Sequence, residues 1–225
     1  MNWDDIEAVT FDLDSTLLQY ERSPGEVLQR AYDNLGMEPI FPVEEYYARY
    51  DEFAEKYDSQ QRLRAECFAT LAAEHGADPE DGRAVAAAFT EERDQSRVEF
   101  LPGAERVLSA ASERYQTAVI TNGAADAQRQ KIGALGIDDY VETIVVAGAE
   151  SPPKPATEPF EQALGTLDVD PTAAVHVGDS GETDVAGSTA AGMASILIGD
   201  PSPDDPEPTG QAQSVAELAD WSVFE

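Results

Sequence analysis

Two aspartates one residue apart, Asp12 and Asp14, follow the apolar run Ala8–Phe11 in "AVTFDLDSTLLQY". Carboxylates placed together at the end of a buried run repel each other and lose hydration, which is costly unless a cation or hydrogen-bond donors compensate. Either the pair sits in a solvated loop, or it is held by a cation and does chemistry. Three other segments carry groups of the complementary kinds. "VITNG" ends an apolar run with Thr121 and Asn122. "ESPPKPATEPF" carries Lys154 in a proline-flanked, non-helical loop of a chain that has three lysines, Lys56, Lys131 and Lys154, against eleven arginines. "GDSGETD" supplies Asp179 and Asp184.

Each piece has an ordinary reading by itself. An acidic composition raises the chance of Asp-x-Asp, and Thr-Asn at a strand end is commonly a turn or helix cap. A lysine belongs on the surface by default, and Gly-Asp followed by an acid five residues later fits a turn and a helix. Together they make a coherent set. Three or four carboxylates can hold Mg²⁺ through oxygen. A lysine, a hydroxyl and backbone N–H groups at a helix start can hold the oxygens of a phosphate.

Such residues need elements to bring them together. Short apolar runs at Ala8–Phe11, Thr117–Ile120, Thr143–Val146, Ala173–Val177 and Ala194–Ile198 suit strands buried on both faces. Helical patterns lie between them, at Gly103–Arg114, Ala124–Leu135, Thr157–Leu167 and Thr183–Ala191. Gly136 suits the residue after a helix, and Pro155 and Pro159 suit a helix start. This alternation predicts an α/β fold with a doubly wound parallel sheet, and ligands then bind at the carboxyl ends of the strands. All the residues singled out above fall at such ends.

One region breaks the alternation. From about Leu17 to Val98 the patterns are helical, as in "PGEVLQRAYDNLG" and "QQRLRAECFATLAAEHG", which predicts an inserted all-α domain. Tyr46, Tyr47, Tyr50, Phe53 and Tyr57 have helical spacing there and read as core packing more readily than as substrate contacts. Cys67 reads as a small apolar helix residue, and the single cysteine permits no internal disulfide. The tail "GDPSPDDPEPTGQAQS" reads as a surface loop before a last short element around Val215–Phe224.

The stretches "FDLDSTL", "VITNG", "KP" and "GDSGETDVAGSTAAGM" resemble, in order, the four motifs of the haloacid dehalogenase-like superfamily, over about residues 7–200. The resemblance implies a Rossmann-like core of residues 1–16 and 99–225 with a helical cap domain at 17–98. It also implies a Mg²⁺-dependent phosphatase that hydrolyses a small phosphate monoester through an aspartyl-phosphate. Asp12 would be the nucleophile, and Asp14 the acid and base. Thr121, the Asn122 backbone and Lys154 would bind the phosphoryl oxygens. Mg²⁺ would be held by Asp12, the Asp14 main-chain carbonyl and Asp179, with Asp184 supporting it from behind. Family dehalogenases lack an acid at the position of Asp14, because a departing halide needs no proton.

The third motif departs from the frequent Lys-Pro-Asp-Pro, with Ala156 in place of the acid. Phosphomutase and dehalogenase activity remain alternatives within the family. A receiver-type phosphoacceptor is a further alternative, disfavoured by length and residue order. "TNGAADAQRQKIGALGI" is similar to the nucleotidase and acylneuraminate-phosphatase branches, but phosphoglycolate, sugar phosphates and nucleotides all stay open as substrates. His176 reads as a packed core residue and His75 as a helix C-terminal cap.

Charge sets the outer bounds. With 45 acids against 14 Lys and Arg, the formal net charge is −31. So acidic a chain repels nucleic acid and anionic membrane surfaces, and neither is expected as a partner. Acids spread along the whole chain point to a surface adapted to a high-salt cytoplasm, where the Debye length shrinks to about 3 Å at molar salt. No leader or membrane-spanning run is visible, so a cytoplasmic protein is expected, monomeric or weakly dimeric.

Overall fold

The computed structural model describes residues 3–54, 56–57, 59–149 and 151–221. In chain order the strands and α-helices are β1 (Ala8–Phe11), β2 (Leu18–Tyr20), α1 (Pro24–Leu35), α2 (Val43–Ala54), α3 (Gln60–Glu74), α4 (Pro79–Glu92) and β3 (Val98–Phe100). There follow α5 (Ala104–Arg114), β4 (Gln116–Asn122), α6 (Ala125–Leu135), β5 (Thr143–Ala147), α7 (Glu158–Leu167), β6 (Ala174–Gly178), α8 (Ala186–Ala190), β7 (Ala194–Ile198), β8 (Gly210–Ala212) and α9 (Val215–Leu218). Two compact units divide the chain: residues 1–19 with 98–225, and residues 20–97.

The first unit is built on a six-stranded sheet in the order β5-β4-β1-β6-β7-β8, with every pairing parallel. All residues of β1 and β6 are buried, as strands covered on both faces must be. On one side Phe160, Ala163, Leu164 and Leu167 of α7 pack with Ala8, Ala118, Ile120 and Val145 of the strands into a continuous apolar cluster. The chain leaves β1 toward β4 and β5, then returns to the other flank of β1 as β6. The strand order thus reverses at β1, and a crevice opens at its carboxyl end.

The second unit holds four helices around Tyr32, Phe41, Tyr46, Phe53, Phe68 and Phe89. The Ser23 hydroxyl accepts from the Glu26 N–H while the Glu26 carboxylate accepts from the Ser23 N–H, so α1 begins with a reciprocal cap. Such a cap contributes about 1 kcal/mol. Helices α3 and α4 approach so closely at Gly82 that a Cβ there would overlap the Phe68 carbonyl.

All five expected strands form, but with differences that matter for the site. Strand β4 runs on to Asn122, so Thr121 and Asn122 belong to the strand rather than to a turn after it. The segment expected as a helix at Thr183–Ala191 opens instead with a π-helical turn, Gly181–Val185, that leads into α8. Three short strands were not expected: β2 and β3, which pair with each other at the two ends of the helical region, and β8 in the tail. Their pairing is backbone-mediated and only three residues long, which leaves no periodic signature in side chains. Of the last expected element, Val215–Phe224, the first part is α9, and residues 222–224 lie outside the described residues.

Candidate active site

Strand β1 delivers Phe11 between Val119 of β4 and Val177 of β6, so Asp12 emerges at the middle of the sheet edge. Its N–H still donates to the Val177 carbonyl. The chain then turns tightly, with the Leu17 and Leu18 N–H groups donating to the Leu13 carbonyl. Ser15 takes a left-handed φ of 61°, which strains an L side chain. This turn aims Asp14 toward α6, away from Asp12's own partners.

Lys154 is 4% exposed, which corrects the surface-lysine reading. Its ammonium donates to Asp12 Oδ1 at 2.6 Å, Asp184 Oδ1 at 2.6 Å and the Ile120 carbonyl at 2.7 Å. All three N–H bonds are thereby used. The Asn122 side chain fixes this loop by donating to the Lys154 carbonyl at 3.0 Å and accepting from its N–H at 2.8 Å. The Asn122 amide is thus a clamp on Lys154, and the Lys154–Pro155 peptide that follows is cis.

Asp184 is buried and projects from the π-helical turn. Besides Lys154 it meets His176 Nε2 at 3.2 Å, and its Oδ2 accepts from the Ser180 N–H at 3.0 Å. An ionised carboxylate only accepts, so His176 carries its proton on Nε2, and Nδ1 accepts from the Thr10 hydroxyl at 2.8 Å. His176 is buried as expected, yet it also orients Asp184. A Cβ on Gly178 would overlap the Asp184 carboxylate, so only glycine leaves room for this approach. Asp179, exposed at the end of β6, accepts from the Thr16 hydroxyl at 3.3 Å.

Burial pushes the Asp12 carboxyl up to about 7, against the pull of Lys154 and with the help of Asp184. Burial alone would raise Asp184 too, but His176 and Lys154 hold it well below the usual carboxylate range. Burial opposes the charge on Lys154, yet Asp12 and Asp184 outweigh it and raise its pKa. Burial lowers that of His176, which stays neutral.

Ligand atoms of Asp12, Asp179 and Asp184 lie within 4.8 Å of one another. Three carboxylates face one ammonium there, which leaves two negative charges uncompensated when all are ionised. Oxygen donors with that surplus suit a hard divalent cation. The residues therefore fit Mg²⁺, with Asp184 the least available of the three because both its oxygens already accept hydrogen bonds.

Asp14 is held from a different direction. Lys131 of α6 donates to both its oxygens, at 2.7 and 2.8 Å, and is buried. Gln128, one turn earlier and also buried, directs its amide at Asp14 Oδ2 at 2.8 Å, the Thr121 hydroxyl at 2.7 Å and the Asn122 carbonyl at 2.9 Å. Neither Gln128 nor Lys131 was singled out from the sequence. The scarcity of lysine was the one signal that pointed to Lys131. The other expected residues, Asp12, Asp14, Thr121, Asn122, Lys154, Asp179 and Asp184, all lie in this one network at the carboxyl end of the sheet. His75 ends α3 as expected, and its Nε2 meets Glu45 at 2.8 Å.

The chain is similar to known proteins. A glyceraldehyde 3-phosphate phosphatase of Methanopyrus kandleri is 30% identical over 199 residues, covering 86% of this chain and 84% of that protein. A ribulose-1,5-bisphosphate 5-phosphatase of Halopiger xanaduensis is 28% identical over 240 residues, covering 96% and 94%. The fold is similar to that of the HAD-hydrolase YfnB of Bacillus subtilis, solved bound to magnesium, with a TM-score of 0.74, 19% identity and coverage of 95% and 97%. The model of the haloacid dehalogenase-like hydrolases matches residues 6–192, and the chain belongs to that family.

Proposed function

We propose that the protein is a Mg²⁺-dependent phosphatase of small phosphate monoesters, working through an aspartyl-phosphate on Asp12. The observation that carries this reading is the pairing of the two aspartates with different partners. Asp12 shares a buried ammonium with Asp184, while Asp14 is gripped separately by Lys131 and Gln128. Two neighbouring carboxylates in distinct environments can take distinct roles.

Mg²⁺ would be held by the carboxylates of Asp12 and Asp179 and the Asp14 main-chain carbonyl, with Asp184 supporting. When bound it would neutralise charge between Asp12 and the phosphate. The Asp12 carboxylate attacks phosphorus and the ester P–O bond breaks. As Asp12 is consumed, the Lys154 N–H that it accepted turns to a phosphoryl oxygen, and the Thr121 hydroxyl and Asn122 backbone bind others. Once it carries a proton and has turned from Lys131, Asp14 gives that proton to the departing alkoxide; it then takes one from the water that attacks phosphorus, which breaks the Asp12–phosphoryl bond and releases inorganic phosphate. That proton is needed for an alcohol and not for a halide, which favours phosphatase over dehalogenase chemistry. The relatives named as phosphatases support the same reaction class.

Two wider parts of the reading go with it. The helical unit, residues 20–97, is proposed as the family's cap, and the working environment as a high-salt cytoplasm. Among the described residues no helix is long and apolar enough to cross a membrane. The test is phosphate release from a panel of metabolite phosphates with Mg²⁺ at molar KCl. At least one ester should turn over, and Asp12→Asn should lower its kcat by about 10³-fold or more. Substantial residual turnover would falsify the nucleophile assignment.

A further inference from the structure

Within the helical unit, Tyr46, Tyr47, Tyr50, Gln60, Arg64 and Arg93 line a cavity of about 420 Å³. Among the described residues its lining contains two guanidiniums and no carboxylate, in a chain where acids outnumber Lys and Arg by more than three to one. Every other buried cation described above has an acidic partner. Among the described residues Arg64 has none.

Arg64 is 6% exposed. Its Nη1 donates to the Thr90 hydroxyl at 2.7 Å, its Cζ lies 5.1 Å from the Phe89 ring centre, and its Nε has no hydrogen-bond partner among the described residues. The Tyr46 phenol is beside it. Arg93 likewise forms no ion pair among the described residues. It donates to the Tyr47 hydroxyl at 3.0 Å and stacks 4.6 Å from the Tyr20 ring centre. Hydrogen bonds to neutral hydroxyls and a ring face offset only part of the cost of burying a charge. Nε is closed to solvent, so what the cavity can supply is a counter-charge to the guanidinium as a whole.

The tyrosines fit the other half of a ligand. Tyr46 is buried in the core of the unit, as its helical spacing predicts, but Tyr47 is 44% exposed and Tyr50 is only partly buried. Phenols that present a ring and a hydroxyl to a wet cavity suit a small polar organic molecule. Guanidiniums suit the paired oxygens of a carboxylate or phosphate.

We propose that this cavity binds a small organic molecule through an oxyanion, a carboxylate or phosphate, set against Arg64 and Arg93 with its organic part on Tyr46, Tyr47 and Tyr50. The oxyanion belongs to a separate small molecule, so the proposal does not rest on the phosphatase reading.

The experiment compares wild type with Arg64→Met and Arg93→Gln, both in the full chain, after circular dichroism and thermal melts show them folded. The readout is calorimetric titration with inorganic phosphate and with malonate. The proposal predicts a phosphate or malonate site in the wild type that survives Lys154→Met and is weakened about tenfold or more in both arginine variants. No such site in the wild type, or unchanged binding in a folded variant, overturns the proposal. If Arg64→Met does not fold, the half-buried Arg93→Gln decides alone.

Discussion

Lys154 and Lys131 divide the two motif aspartates between them, and in the proposed reaction this division separates their roles at the scale of single residues. Asp14, held through both oxygens by Lys131 and through one by Gln128, is oriented without touching the Asp12–Lys154–Asp184 group. Asp14→Asn should therefore slow hydrolysis of a poor alcohol leaving group by about 10²-fold or more. The loss with p-nitrophenyl phosphate should be far smaller, because that phenolate departs without a proton. Steady-state kcat on the two substrates checks this, and equal losses would count against an acid role.

A second prediction at this scale concerns Asp12, whose carboxyl burial raises to about 7. Mg²⁺ needs the ionised form, so below that pH it must displace a proton. Apparent Mg²⁺ affinity should fall toward about tenfold per pH unit below 7 and level off above it. Calorimetric titration between pH 5.5 and 8.5 measures it, and a flat profile would remove the metal from Asp12. None of Asp14's partners was legible as such beforehand. Gln128 and Lys131 lie one turn apart on a helix face whose target only the packing of α6 defines.

At the scale of elements, glycines mark where the chain comes too close for a side chain. Gly82 lies where α4 meets the Phe68 carbonyl of α3. Alanine favours helices over glycine by about 1 kcal/mol, yet here its Cβ would force the helices apart. Gly82→Ala should therefore destabilise the protein by about 1–3 kcal/mol in urea unfolding, and a more stable variant would show that no such close approach exists. The five long strands and the helices between them were legible because burial imposes a period on side chains. Strands β2, β3 and β8 were not, because a three-residue pairing depends on a distant partner's backbone. The π turn that carries Asp184 to Lys154 and His176 was missed as well, because one extra residue in a turn leaves no periodic pattern in the side chains.

Across the whole molecule, a formal net charge of −31 outweighs every other electrostatic feature. Ion pairs such as Arg49 with Glu74, Arg83 with Glu66 and Arg22 with Glu92 neutralise a few acids locally. Exposed pairs contribute little, and the unpaired surplus repels itself. Raising KCl from about 0.1 M to about 2 M shortens the Debye length from about 10 Å to a few ångströms. Tm should rise by about 10 °C or more over that range, equivalent to roughly 3 kcal/mol for a chain of this size. A flat response would remove the high-salt proposal and leave the enzymatic one standing.

Sequence alone determined the kinds of groups available and the ends of strands at which they would sit. Apolar period and motif order are local properties, and they reached Asp12, Asp14, Thr121, Asn122, Lys154, Asp179 and Asp184 without coordinates. Only the tertiary structure decided who partners whom: that Lys154 is buried against two carboxylates, that Asp14 belongs to Lys131, and that Arg64 has no acid among the described residues. Pairing energies act through space over a few ångströms, between residues far apart in the chain, so no local pattern records them.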